Sequence, residues 1–325
     1  MSDLERRYLR LVRTCYPAGY RDARATEIVG TYLAMSAPDR RWPSVADVTD
    51  VAAGGLRQRL RAIGATGIGP GARLAAPLAL LTATFLAGSW AVLELSPWTT
   101  AWLGFRQDGS PVTLGLGVWA AWLLTAVVHA AAPGRWTRRA IGLALVLTVA
   151  VVPLAAVVDL SRPPLFVLLP QLCLGLVALG VPSRPPGRLR LLPVAGAVAA
   201  LPVATTFARY GETLSLGYYG WPAGQILPGA GTALLLLALL VGVVLAARDD
   251  RRGGWAGLVL LGPIGMLWLH PLAEELAVGF YGGGPNADWT TLATAAIIAA
   301  VAAAIATWAA LMVHRRITGA HAAEQ

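Results

Sequence analysis

From residue 74 onward the chain is a succession of apolar segments, near 74–95, 114–132, 140–158, 164–182, 190–208, 227–247, 255–273 and 289–313. Each approaches or exceeds the ~20 residues a helix needs to cross about 30 Å of hydrocarbon. In lipid a backbone must satisfy its own hydrogen bonds, and a segment of this length does so as a helix. The expected fold is all-α, a polytopic membrane bundle of about eight transmembrane helices over residues 74–316. A charged fraction of 13% points the same way, since soluble domains carry about 25%.

The short connections between these segments alternate in charge. One side holds Arg135, Arg138, Arg139, Arg184, Arg188, Arg190, Arg248, Arg251 and Arg252, with Arg315 and Arg316 in the tail. The other side holds Arg106, Arg162 and Arg209. Positive charge retained on the cytoplasmic side orients a multi-span protein. Both termini, including the tail at 317–325, are thus expected in the cytoplasm of a bacterial cell, below its plasma membrane. Partition of the +9 net charge follows the same division: +5 in residues 1–73, +8 in the arginine-rich loops and tail, and −4 on the other side. The excess is topogenic and draws the chain to anionic membrane lipid; direct nucleic-acid binding is not expected. Trp98, Trp102, Tyr218, Tyr219, Trp221 and Trp289 mark the expected outer interface, and Trp136 and Trp255 the inner one. Small-residue rows in the last segment, Ala295, Ala299, Ala303 and Ala296, Ala300, Ala304, have the spacing of a close helix contact. All 26 basic residues are arginine, a usage that suggests a high-GC bacterial genome.

Residues 1–62 are a different kind of sequence and read as a small cytoplasmic domain of three helices. Ser2 and Glu5 have capping-box spacing. Leu4, Tyr8, Leu11, Val12 and Cys15 recur at helical intervals. Ile28, Val29, Tyr32 and Leu33 form the apolar face of a second helix from about Tyr20 to Met35. Ser44 caps a third, whose Val45, Val48, Ala52, Leu56 and Leu60 line one side. Leu11, Tyr32 and Leu56 are expected to pack together. Residues 63–73, rich in glycine, are expected to be a linker. Sixty residues bury only a marginal core, so the domain is expected to lean on a partner, the membrane or a second copy in a homo-oligomer.

The order Tyr16-Pro17, Tyr20-Arg21, Glu27, Pro43-Ser44 and Gly55-Leu56-Arg57 resembles the small helical signalling domain of actinobacterial membrane proteins akin to the HAAS domain, which is associated with helix-turn-helix regulators. The resemblance covers about the first fifth of the chain. Arg24-Ala25-Thr26 stands where the family often has Arg-Gly before the Glu. The resemblance implies a cytoplasmic partner, a PadR-type regulator or a sigma factor. It makes Tyr16, Pro17, Tyr20, Arg21 and Glu27 the candidate partner-binding residues.

Within the bundle, Gln171 is the deepest polar residue, beside Pro170. Polar groups inside a membrane are functional candidates, although an interhelical hydrogen bond donated to a backbone group freed by Pro170 is the favoured account of Gln171. His129 reads as a snorkelling residue near a segment end. Glu94, Asp159, Glu274 and Glu275 sit at outer ends of segments, and His270 lies four residues before Glu274. An acidic ring attracts cations, and a His with carboxylates suits zinc. Topology also selects negative charge outside, so no metal site and no cofactor is expected. Catalytic motifs are not recognised in the chain: there is no P-loop and no GxSxG. The expectation is a regulatory or sensor membrane protein, not an enzyme; the alternative is a transport component, such as an ABC permease-like subunit, with a regulatory prefix.

Overall fold

The computed structural model describes residues 2–37, 40–62, 67–96, 113–158, 160, 162–214, 219–248, 250–281 and 289–323. These are helices and their connections, without a strand, and the chain is an all-α polytopic membrane protein. It forms two compact units, one of residues 1–66 with 308–325 and one of residues 67–307.

The first unit contains α1 (Asp3–Cys15), α2 (Ala18–Met35) and α3 (Val45–Ala62). The Ser2 hydroxyl accepts from the Glu5 amide, and the Glu5 carboxylate accepts from the Ser2 amide, which closes the expected capping box. Ser44 and Asp47 make the same reciprocal pair at the start of α3, at 3.0 and 3.1 Å. The core is Leu4, Tyr8, Val12, Tyr16, Val29 and Val51, with Leu11 and Tyr32 packed at its edge. Leu56 is not in it. It is 57% exposed, as are Val45 at 84% and Val48 at 37%, and Ala52 is exposed beside them. The face of α3 turned to the core carries Val51 and Gly55 instead. A Cβ on Gly55 would stand 2.6 Å from the Cys15 carbonyl oxygen, so α3 approaches the end of α1 at a residue with no side chain. Arg59 seals the same corner, its Nε and Nη2 donating to the Cys15 and Thr14 carbonyls at 2.8 and 2.6 Å. Those carbonyls lie in the last turn of α1 and lack helical partners.

The second unit begins with α4 (Ile68–Leu95), so residues 68–73, expected as linker, are already helical. It continues through α5 (Leu114–Ala131), α6 (Arg135–Val158), α7 (Leu165–Ala178), the short α8 (Gly187–Arg190), α9 (Leu192–Leu214), α10 (Gly220–Ala246), α11 (Arg252–Leu267), α12 (Leu269–Tyr281) and the first part of α13 (Trp289–Ala323). Six helices are individually long and apolar enough to cross a membrane: α4, α5, α6, α9, α10 and α13. Helices α11 and α12 reach the length of a seventh span only when taken together, and they meet at a bend of 50°. The segment near 164–182 yields only the 14 residues of α7, roughly 21 Å of helix, short of ~30 Å of hydrocarbon. The eight expected segments are all apolar helices, but among the described residues only six are individually long enough for a crossing.

Helix α4 lies at the centre, packed against α5, α7, α9, α10 and α11. Its apolar stretch is 72% buried, against 11% for α13. The cause is in its sequence. Ala75, Ala79, Ala83, Ala87 and Ala91 recur every four residues and are all buried, a small-residue row that lets backbones approach. The rows expected to do this in the last segment are buried only at Ala295 and Ala299. Gly88 completes the contact with α9, where a Cβ would come within 2.9 Å of the Ala200 Cβ. Thr84 Oγ1 donates across it to the Pro193 carbonyl at 2.8 Å.

Candidate functional site

Glu94 stands in the last turn of α4 and is 3% exposed. It is therefore not part of an outer ring of exposed acids. Its carboxylate accepts hydrogen bonds from the Thr113 hydroxyl, from Trp119 Nε1 at 2.9 Å, and from the Tyr219 hydroxyl. Trp119 Nε1 also lies 3.2 Å from the Tyr219 oxygen. Gly115 makes room, since a Cβ there would sit 2.2 Å from Glu94 Oε1. Trp90 packs on the Tyr219 ring at 5.2 Å. Three donors from two separate pieces of chain thus converge on one carboxylate, and a buried carboxylate requires such partners. The sequence marks Tyr219 only as an interface aromatic; nothing local in it links Tyr219 to Glu94.

Gln171 is fully buried on α7, and its Nε2 donates to the Ala83 carbonyl of α4 at 3.1 Å. The bond is interhelical as expected, but its acceptor is on the hub helix, not a group freed by Pro170. The Gln171 Oε1 has no partner among the described residues. His129 is 1% exposed and does not snorkel. His270 Nδ1 lies 3.4 Å from Glu274 Oε2, so the two share a face of α12; the bend falls before Pro271. Glu275 is exposed, and Asp159 lies outside the described residues. Among the described residues no three His, Cys, Asp or Glu side chains gather as a metal site.

In the first unit four of the five candidate partner-binding residues meet at the α1–α2 corner. Tyr16 is buried and stacks on Tyr20 at 5.5 Å. Pro17 caps α2, and its carbonyl accepts from the Tyr20 and Arg21 amides. Arg21 Nη1 donates to the Arg13 carbonyl at 3.3 Å. These four shape the corner. Glu27 faces outward, its Oε2 3.8 Å from Arg24 Nη1. A second lattice joins all three helices: Tyr8 donates to Asp47 at 2.7 Å, Tyr32 donates to Asp50 at 2.6 Å, and the two rings stack at 5.4 Å. The hydrogen bonds from Tyr8 and Ser44 hold Asp47 below the usual carboxylate range. Burial, with the neighbouring aspartates, pushes Tyr8 and Tyr32 above the usual phenol range.

The first unit therefore has a sealed interior and an unsealed surface. Val45, Val48, Ala52 and Leu56 line one side of α3 and are exposed, as are Met35 and Trp42. Arg7 lies over the Trp42 ring, 3.1 Å from its centroid. Comparison with protein families, curated proteins and solved structures gives no match to this chain.

Proposed function

We propose that this is a regulatory or sensor protein of the bacterial cytoplasmic membrane. In this reading both termini are cytoplasmic, and residues 1–62 hold a PadR-type regulator or a sigma factor. One observation carries it: a unit with a closed core leaves the apolar side of α3 uncovered, from Val45 to Leu56. Apolar rows on a small polar domain are where partners bind. The HAAS-like order of motifs supports the same reading. The buried polar groups of the bundle add support, because Glu94 and Gln171 are committed to neighbouring helices. Such groups suit a packed bundle that passes on a change in helix packing.

The test is made in the native membrane with the full chain. Deletion of residues 1–62 and the single substitution Leu56→Asp are compared for transcription and for cross-linked partners. Both are expected to release the same cytoplasmic regulator and to change the same small set of transcripts. Unchanged transcripts in both, with loss of flux of a defined solute in an inserted Gln171→Leu variant, favour the transport alternative.

A further inference from the structure

The outer surface of the bundle carries a groove of about 740 Å³ between α10 and α11. The two helices touch backbone to backbone at its floor: a Cβ on Gly253 would stand 2.7 Å from the Gly242 Cα. Leu235, Leu239 and Val243 form one wall, and Gly254, Gly257 and Leu261 the other. Leu239 and Val243 are 56% and 67% exposed, so the groove opens sideways from the bundle. Its α10 wall runs from Leu235 to Ala246, roughly 17 Å of helix, or about half of a ~30 Å hydrocarbon core. The groove is thus as deep as one leaflet.

Charge occurs at one end only, where Asp250 and Arg251 line it. Asp250 is engaged: its Oδ1 accepts from the Arg252 amide at 2.9 Å and lies 3.6 Å from Arg252 Nε. Arg251 has no hydrogen bond or ion pair among the described residues and is exposed, with exposed Arg248 nearby in sequence. An apolar trough one leaflet deep, ending at an uncommitted guanidinium, matches an amphiphile with a long apolar tail and an anionic head. Arginine pairs with phosphate through a planar fork of donors, and basic sites between membrane helices take anionic lipid heads. We propose that the α10–α11 groove binds an anionic phospholipid of the surrounding bilayer, with its acyl chain along the glycine-lined wall and its phosphate at Arg251. This site is independent of any role for residues 1–62.

The glycines make the proposal testable without disturbing the packing. A Cβ at Gly254, Gly257 or Gly262 meets nothing within 4 Å. Gly254 and Gly257 line the groove, whereas Gly262, on the same helix, does not. The full-length protein, delipidated in mild detergent, is titrated with phosphatidylglycerol and with phosphatidylcholine and followed by native mass spectrometry. The wild type is expected to prefer phosphatidylglycerol. Gly257→Leu, and separately Gly254→Leu, should weaken that binding by about tenfold or more, the order of change expected when a few methylenes lose their burial. Gly262→Leu should bind as the wild type does, and Arg251→Gln should take the two lipids alike. Undiminished binding in both groove-filling variants overturns the proposal, as does equal loss in Gly262→Leu or a wild type indifferent to the head group.

Discussion

Glu94 and Gln171 are both buried polar residues that reach a neighbouring helix, yet their removal should have different consequences. Replacing Gln171 by Leu removes one hydrogen bond to Ala83 and an Oε1 that has no partner among the described residues. An interhelical hydrogen bond in a membrane is worth about 0.6 kcal/mol on average, so Gln171→Leu should shift the unfolding midpoint in detergent very little. Replacing Glu94 by Ala removes the acceptor that Thr113, Trp119 and Tyr219 share, although Trp119 Nε1 keeps the Tyr219 oxygen within 3.2 Å. A buried donor left without its acceptor costs about 1–3 kcal/mol, so Glu94→Ala should lower the midpoint clearly and by more than Gln171→Leu. Thermal unfolding followed by tryptophan fluorescence ranks the two, and equal midpoints would show that the carboxylate is not the tie between α4, α5 and the start of α10. The ranking is invisible in the sequence. Glu94 ends an apolar segment among interface aromatics, and one of its donors, Tyr219, lies 125 residues away.

At the scale of elements, α3 separates what periodicity reveals from what it conceals. The helix carries small apolar residues on most of its circumference, so hydrophobic spacing favours the Val45–Leu56 row although that row faces outward. The inward row is set by contact distance at Gly55, a residue that no hydrophobicity pattern selects. Caps and segment limits were legible because they depend on neighbours a few residues apart; the Ser2–Glu5 box, the limits of α5 and the end of α6 are examples. The brevity of α7 was not, because its flanking Pro164, Gly180 and Val181 read as part of one apolar run. Two consequences follow for the first unit. Leu56→Asp should leave it folded, within about 0.5 kcal/mol as for an ordinary surface change, whereas Gly55→Val should cost about 1–3 kcal/mol by overpacking against Cys15. Hydrogen exchange of residues 1–62 in the full chain distinguishes them. The pH response has two limbs. Asp47 is held low, so its contribution is present above the unfolded carboxylate value of about 4 and is lost as pH falls through the folded value. Tyr8 and Tyr32 are held high, so theirs is present below about 10 and is lost as pH rises through the folded values. Tyrosinate absorbance should show a late-ionising phenol that Tyr32→Phe removes; an unchanged titration would dissolve the Tyr32–Asp50 contact.

For the whole molecule the open quantity is the path of the chain across the bilayer, and α7 decides it. If α7 crosses despite its length, residues 162 and 186 lie on opposite sides, and the arginine-rich loops all share one face. With Cys15 and Cys173 removed, a cysteine at 162 should react with an impermeant reagent in intact cells and one at 186 should not. Equal labelling would make α7 a re-entrant segment and reverse the sense of every later helix. The central place of α4 bears on a different process, the order in which the bundle is made. Helix α4 leaves the ribosome before the other apolar helices of this bundle, yet the groups that complete its contacts are synthesised much later. Pro193 follows Thr84 by 109 residues, and Tyr219 follows Glu94 by 125. At ~5–20 residues per second, Glu94 spends roughly 6–25 seconds in or beside lipid before Tyr219 exists. A nascent chain stalled before residue 219 should therefore keep α4 cross-linked to the insertion machinery, and one stalled beyond α10 should release it. The helix that organises the finished protein is, during synthesis, the one that must be chaperoned longest.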